Sequence, residues 1–273
     1  MSAKTTDNFP LFSLSDAVVR RNGKIILHVD ELTIAEGETV AVLGPNGSGK
    51  STLIRLLTRE IHPMHRDEAP LRFRGSERIS LAALRQTFGV VSTTMEDEIR
   101  VGLPVEKVVE GGMFGTLGVP ASVESTPFTR KRTAETLELL GLTALAEQDC
   151  RTLSSGQIRR VLIARALVAD PEILILDEPC AGLDPQGMHY IRSTMRTLAA
   201  MDKGLVLVTH YPEDIIPEVR RVLLIKEGRI VADGAKETLL TSEHLSELFE
   251  LPLNVERHEN TLGETFYTLV DLY

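Results

Sequence analysis

The chain has 273 residues, 42% hydrophobic and 25% charged, the balance of an ordinary folded domain rather than a disordered chain. Its formal net charge of −9 argues against nucleic acid as a partner, and Cys150 and Cys180 read as two free thiols of a reducing compartment. Met1–Phe12 lacks the pattern of a signal peptide and no run reaches the ~18 consecutive apolar residues of a membrane span, so another chain would have to supply any pore.

Residues 1–10 read as a polar, mobile start. Leu11–Glu38 predicts short strands broken by turns at Arg21-Asn22-Gly23-Lys24 and Glu36-Gly37-Glu38. Thr39–Leu43 is a buried-type strand that runs into a glycine-rich loop and a helix over Lys50–Arg59, with Leu53, Leu56 and Leu57 on one face. Leu71–Arg74 and Phe88–Ser92 predict further strands. Residues 97–168 change period: Ala134, Leu137 and Leu140 recur at helical spacing, which predicts an inserted helical lobe ending at Leu162–Val168. Strands then return at Ile173–Asp177, Leu205–Thr209, Val222–Ile225 and Arg229–Asp233, with a helix over about 186–201. Strands alternating with helices predict an α/β fold with a mostly parallel sheet covered on both faces. The tail mixes a helix around Ser242–Phe249 with a strand near Thr265–Val270. One domain results, with a core over 11–96 and 169–240, a helical lobe over 97–168 and a tail over 241–273.

Gly44-Pro45-Asn46-Gly47-Ser48-Gly49-Lys50-Ser51 fits the pattern G-x-x-x-x-G-K-[ST] between a strand and a helix. Glycines let the backbone wrap closely enough for successive N–H groups to point at phosphate, and the helix offers the same anion its positive end. Lys50 would bridge the β- and γ-phosphates, Ser51 would be a Mg²⁺ ligand, and Thr52 would hold the α-phosphate.

Ile173–Leu176 followed by Asp177-Glu178-Pro179 puts two carboxylates at the carboxyl end of a buried strand, the edge where ligands sit in open parallel sheets. Taken alone this is a hydrophilic turn; beside a phosphate loop it is a metal and catalytic pair. Asp177 would hold Mg²⁺ through water, and Glu178 would polarise the attacking water as general base. Partial desolvation of a carboxylate there would raise its pKa. His210, after Leu205–Thr209, reaches the same edge and could sense or stabilise the γ-phosphate.

Leu153-Ser154-Ser155-Gly156-Gln157 precedes a helix carrying Arg159, Arg160 and Arg165, with Ser154 or Ser155 suited to cap it. The order phosphate loop, L-S-S-G-Q, hydrophobic-D-E-P, A-G-L-D, strand-His resembles the ATP-binding-cassette (ABC) ATPase superfamily over nearly the whole chain. The resemblance implies an ABC-type P-loop fold with an N-terminal antiparallel β subdomain, and ATP and Mg²⁺ as ligands. It also implies a head-to-tail homodimer, or a pairing with a second cassette, that sandwiches two nucleotides. In that arrangement Ser154, Ser155, Gly156 and Gln157 face the nucleotide of the partner subunit, Asp184 of Ala181-Gly182-Leu183-Asp184 crosses the interface, and His210 is the switch histidine. A cytoplasmic position at the inner face of the membrane, beside a separate integral membrane permease, follows from the same resemblance.

Two positions depart from the family pattern. Arg21, or Arg20, stands where an aromatic residue usually stacks on adenine; a guanidinium plane can also stack on a base. In Gly89-Val90-Val91-Ser92-Thr93, Thr93 takes the place of the usual glutamine, so a shorter hydroxyl would reach for Mg²⁺ or the water. That change leaves open a second function, a soluble ABC ATPase acting on a macromolecule without transport. The run Gly111–Gly118, with the missing glutamine, is similar to cassette proteins related to the molybdate-type ATPases.

Overall fold

The computed structural model describes residues 9–201 and 203–271, so the polar start over residues 1–8 lies outside the described residues. β1 (Phe12–Arg21) and β2 (Lys24–Ile34) form a hairpin. Its turn residues Asn22 and Gly23 take φ of 50° and 78°, the left-handed pair that a tight hairpin requires. The short strands expected here are instead two long ones of 10 and 11 residues. Asp16 hides the continuity: at φ 44° it leaves the ladder, yet Ser15↔Glu31 and Ala17↔Val29 stay in register on either side of it.

β3 (Thr39–Leu43), α1 (Lys50–Leu57), β4 (Leu71–Phe73), α2 (Leu81–Thr87) and β5 (Phe88–Ser92) follow. α1 stops short of the expected Arg59, which takes a left-handed φ of 60°. Helices then fill the interval before the next strand: α3 (Glu96–Ile99), α4 (Val105–Gly111), α5 (Pro127–Leu139) and α6 (Ser155–Leu167). β6 (Ile173–Asp177), α7 (Pro185–Ala199), β7 (Gly204–Thr209), β8 (Arg221–Lys226) and β9 (Arg229–Ala235) complete the core, and α8 (Lys236–Leu239), α9 (Ser242–Phe249), β10 (Leu253–Glu259) and β11 (Thr265–Asp271) form the tail.

The large sheet runs β4-β1-β2-β9-β8-β3-β7-β6-β5. From β8 to β5 every neighbouring pair is parallel, whereas β8–β9, β1–β2 and β1–β4 are antiparallel. The two halves meet at one parallel pair, His28↔Arg229. This is the expected α/β sheet with its antiparallel N-terminal region.

Successive residues of the central strands feed two separate cores. Val40, Val42, Ile175, Val208 and Leu223 pack with Leu53 and Leu56 of α1 and with the hairpin. Ala41, Leu43, Leu174, Leu176 and Leu207 pack with Ile158 and Leu162 of α6 and Ile191 of α7. A strand buried on both faces reads as a continuous apolar run, and each fully buried aliphatic side chain contributes about 1.5–3 kcal/mol.

The tail strand is one arm of the hairpin β10–β11. Arg196 of α7 holds Glu264 in its turn, and the Leu269 N–H donates to Glu213 Oε1 at 2.7 Å.

Register decides where the site forms. Leu43 pairs with Thr209, Asp177 with Val208, and Ser92 with Asp177. The phosphate loop, the two carboxylates, His210 and Thr93 therefore all leave the sheet at one edge.

Candidate functional site

Gly44 approaches β8 so closely that a Cβ there would lie 2.1 Å from the Ile225 carbonyl oxygen. Gly49 caps α1 at φ 108°, and no side chain caps that helix. The Ser48 carbonyl accepts the Gly228 N–H at 2.8 Å, which pins the loop to the turn between β8 and β9. Ser48 Oγ is buried with no hydrogen-bond partner, an orphan polar atom inside a loop of backbone donors and a fit to phosphate oxygen. Pro45 is partly buried, Asn46 and Gly47 are exposed, and Thr52 is half-buried on α1.

Lys50 is 4% exposed; its Nζ donates to the carbonyls of Gly44 at 2.8 Å and Pro45 at 3.0 Å. The same Nζ lies 4.0 Å from Glu178 Oε1. Burial pushes its pKa below the ordinary lysine value, while the Glu178 and Asp177 charges pull it upward.

Ser51 Oγ donates to Asp177 Oδ2 at 3.3 Å, joining the loop to the end of β6. A hydroxyl and a carboxylate are the hard oxygen donors that Mg²⁺ takes, so this pair fits the metal expected from the sequence. Asp177 carries a raised pKa, chiefly from burial and next from the Glu178 charge; the Ser51 hydroxyl and Lys50 oppose the rise. His210 Nδ1 lies 3.1 Å from Glu178 Oε1. Thr93 opens a single 3₁₀ turn, Thr93–Met95, one residue past the Ser92↔Asp177 pair.

The remaining sequence candidates lie apart from this cluster. Ser154 is the N-cap of α6: its Oγ accepts the Gln157 N–H at 3.3 Å, and Gln157 Oε1 accepts the Ser154 N–H at 2.9 Å. Ser154 and Ser155 are exposed. With Gly156, Gln157, Asp184 and Tyr190 they line a cavity of about 490 Å³ to which no residue of Gly44–Thr52 contributes. Asp184 caps α7 through Oδ1, which accepts the Gly187 N–H at 2.7 Å. Arg21 is exposed at the end of β1 opposite Lys24; from that hairpin the Ile26 carbonyl and the Leu27 side chain meet the loop, each 3.4 Å from where a Gly49 Cβ would stand.

Sequence reading gave no role to Arg159, which is 3% exposed and whose Nη1 donates to the Glu178 carbonyl at 3.0 Å. The available signal was its place on the apolar face of α6, three and four residues before the buried Leu162 and Ile163. Asp214 was missed too; it accepts the Thr209 hydroxyl at 2.9 Å and Arg192 at 2.8 Å, fixing the strand that carries His210.

Comparison with known proteins gives one family: residues 27–181 match the model described as ABC transporter. The uncharacterized ABC transporter ATP-binding protein YlmA of Bacillus subtilis (strain 168) is 31% identical over 247 residues, 90% of this chain and 93% of that protein. Among solved structures, cbiO1 from Clostridium perfringens, part of the ABC transporter complex cbiONQ, superposes with a TM-score of 0.73 at 27% identity, covering 88% of this chain and 94% of that one. The dimeric post-hydrolysis structure of the ATP-binding cassette MJ0796, bound to ADP and Pi, gives a TM-score of 0.66 at 26% identity over 82% of this chain and 98% of that one.

Proposed function

We propose that, because the chain belongs to the ABC transporter family, the cluster of Lys50, Glu178 and His210 performs the ATP hydrolysis that family membership implies. The chain is an ATP-binding subunit of an ABC transporter. The observation that carries the catalytic reading is convergence: a buried ammonium 4.0 Å away and an imidazole 3.1 Å away both face one oxygen of Glu178.

In this reading the triphosphate lies in Gly44–Thr52, with Lys50 shifting from the loop carbonyls to the β- and γ-phosphates. Mg²⁺, held by Ser51 and Asp177, with Thr93 close by, would neutralise charge on the phosphate oxygens. Glu178 accepts the proton of the attacking water, and His210, with Nδ1 as donor, holds Glu178 in place beside the γ-phosphate. Arg21 stacks on the base. Ser154, Ser155, Gly156 and Gln157 of a second copy close over the nucleotide, with Asp184 beside the water. The exposure of Ser154, Ser155 and Asp184 around a cavity that Gly44–Thr52 does not line supports this, since two-fold pairing turns two half-sites into two complete ones. That the cassette MJ0796 forms a dimeric structure with ADP and Pi supports pairing as such.

No helix among the described residues is long and apolar enough to cross a membrane. The subunit works against a separate membrane chain, as the complex containing cbiO1 suggests, with residues 97–168 as the lobe that carries Ser154–Gln157. Lys50→Ala tests the assignment: ATP affinity should fall about 10–10²-fold, the worth of one or two charge-assisted hydrogen bonds. Unchanged affinity by equilibrium titration would remove the loop from nucleotide binding.

A further inference from the structure

Arg159 lies on the inner face of α6, and its guanidinium reaches two stretches of chain, Glu96 and Glu178–Ala181. Nε donates to Glu96 Oε1 at 2.6 Å, and Nη2 pairs with the same oxygen. Nη1 donates to the carbonyls of Glu178 at 3.0 Å and Pro179 at 2.7 Å, and Nη2 reaches the Ala181 carbonyl at 3.4 Å. A guanidinium presents its donors in a rigid plane, so it braces several acceptors only in one arrangement of them. Glu96 supplies the counter-charge that a cation this deeply buried requires.

The segment so braced is a strained one. Glu178 takes φ 52°, in the left-handed region that a glutamate rarely adopts. Its N–H is tied to the Val208 carbonyl at 2.8 Å, and its own carbonyl accepts the Ala181 N–H at 3.2 Å as well as Arg159. A backbone in that region persists only where its surroundings over-determine it. Arg159 does so from the carbonyl side, while Val208 does so from the amide side. Release of the carbonyl side would let the peptide rotate and swing the carboxylate away from Lys50 and His210.

We propose that Arg159, charge-balanced by Glu96, is a positioning residue for ATP hydrolysis, fixing the Glu178–Ala181 backbone so that the Glu178 carboxylate stays aimed at the attacking water. The proposal rests on the reading of Glu178 as general base. Arg159 acts through the peptide of Glu178, whose carbonyl accepts its Nη1.

The test compares steady-state ATPase kinetics and ATP affinity of Arg159→Gln, Arg159→Lys, Glu178→Gln and the double variant Arg159→Gln/Glu178→Gln. Arg159→Gln should lower kcat about 10–10²-fold, the effect of a small misplacement of a reacting group, and leave KM and ATP affinity within about threefold. Arg159→Lys, which keeps the charge opposite Glu96 and one carbonyl bond, should recover part of kcat. In the Glu178→Gln background Arg159→Gln should remove nothing further, because no base remains to be aimed. An additive loss in the double variant, or a matching loss of ATP affinity, would overturn the proposal. Turnover of Glu178→Gln at the parent rate would instead overturn the general-base reading. An inactive Glu178→Gln beside a fully active Arg159→Gln would overturn the positioning role alone. Should Arg159→Gln fail to fold, Arg159→Lys alone and combined with Glu178→Gln provides the same comparisons.

Discussion

His210 Nδ1 lies 3.1 Å from Glu178 Oε1, although the two residues leave different strands. The contact exists because Asp177 pairs with Val208, which sets the two strand ends level. With Nδ1 as donor, the imidazole fixes one carboxylate oxygen and leaves the other to accept a proton. His210→Ala should lower kcat about 10²–10³-fold, the worth of one preorganised donor, with ATP affinity nearly unchanged. Parallel measurement of turnover and equilibrium ATP binding checks it.

Asp177 links the site to stability. Burial raises its folded pKa above the ordinary 3.8, so the folded chain binds more protons than the unfolded one in the window above that value. The contribution of Asp177 to stability therefore falls as pH rises through the window, and its whole penalty is present above the folded pKa. Asp177→Asn should raise the melting temperature of the nucleotide-free protein by a few degrees, on the scale of ~2–4 °C per kcal/mol for domains near this size. The same change should abolish the further stabilisation that Mg²⁺ with ATP provides. A melting series from pH 4 to pH 8, with and without ATP and Mg²⁺, reads both effects.

Gly44 has no room for a side chain, since a Cβ would sit 2.1 Å from backbone oxygen of β8. Gly44→Ala should destabilise the fold by roughly 1–3 kcal/mol or more, because a main-chain atom cannot move aside like a flexible side chain. Gly47→Ala meets nothing within 4 Å but must hold φ 79°, so it should be milder. Thermal denaturation of the two variants side by side gives the order.

Burial pushes the Cys150 thiol up to about 11 and the Cys180 thiol up to about 12. Both are free and buried. Neither should be alkylated by iodoacetamide in the native protein at pH 7.5, and both should react after denaturation, since the thiolate is the nucleophile. Intact-mass spectrometry counts the adducts.

How much the sequence revealed follows from where the signal lies. β6 and β7 were legible because both faces are buried, which leaves unbroken runs such as Ile173–Leu176 and Leu205–Val208. α9 was legible from Ser242 to Phe249, behind the capping Thr241. β10 was not, because only Leu253 of that strand is buried and Asn254, Glu256, Arg257 and Glu259 break the alternation. α2 and α8 are too short, at 7 and 4 residues, to show a helical period. At the site, Lys50, Asp177, Glu178 and His210 stand in motifs with their own spacing. Gly228, which ties down the loop from 180 residues away, and Asp214, which braces Thr209 from five residues on, stand in no motif that marks them.

In the proposed pairing, nucleotide in Gly44–Thr52 of one copy is closed over by Ser154–Gly156 of another. Asn46 and Ser155 are both exposed, one on each half-site. A Glu178→Gln protein carrying Asn46→Cys and Ser155→Cys, oxidised with and without ATP and Mg²⁺, measures their approach directly. An intermolecular disulfide should form with ATP and be lost when either introduced cysteine is omitted. A crosslink equally abundant without nucleotide, or none with it, would rule out this pairing.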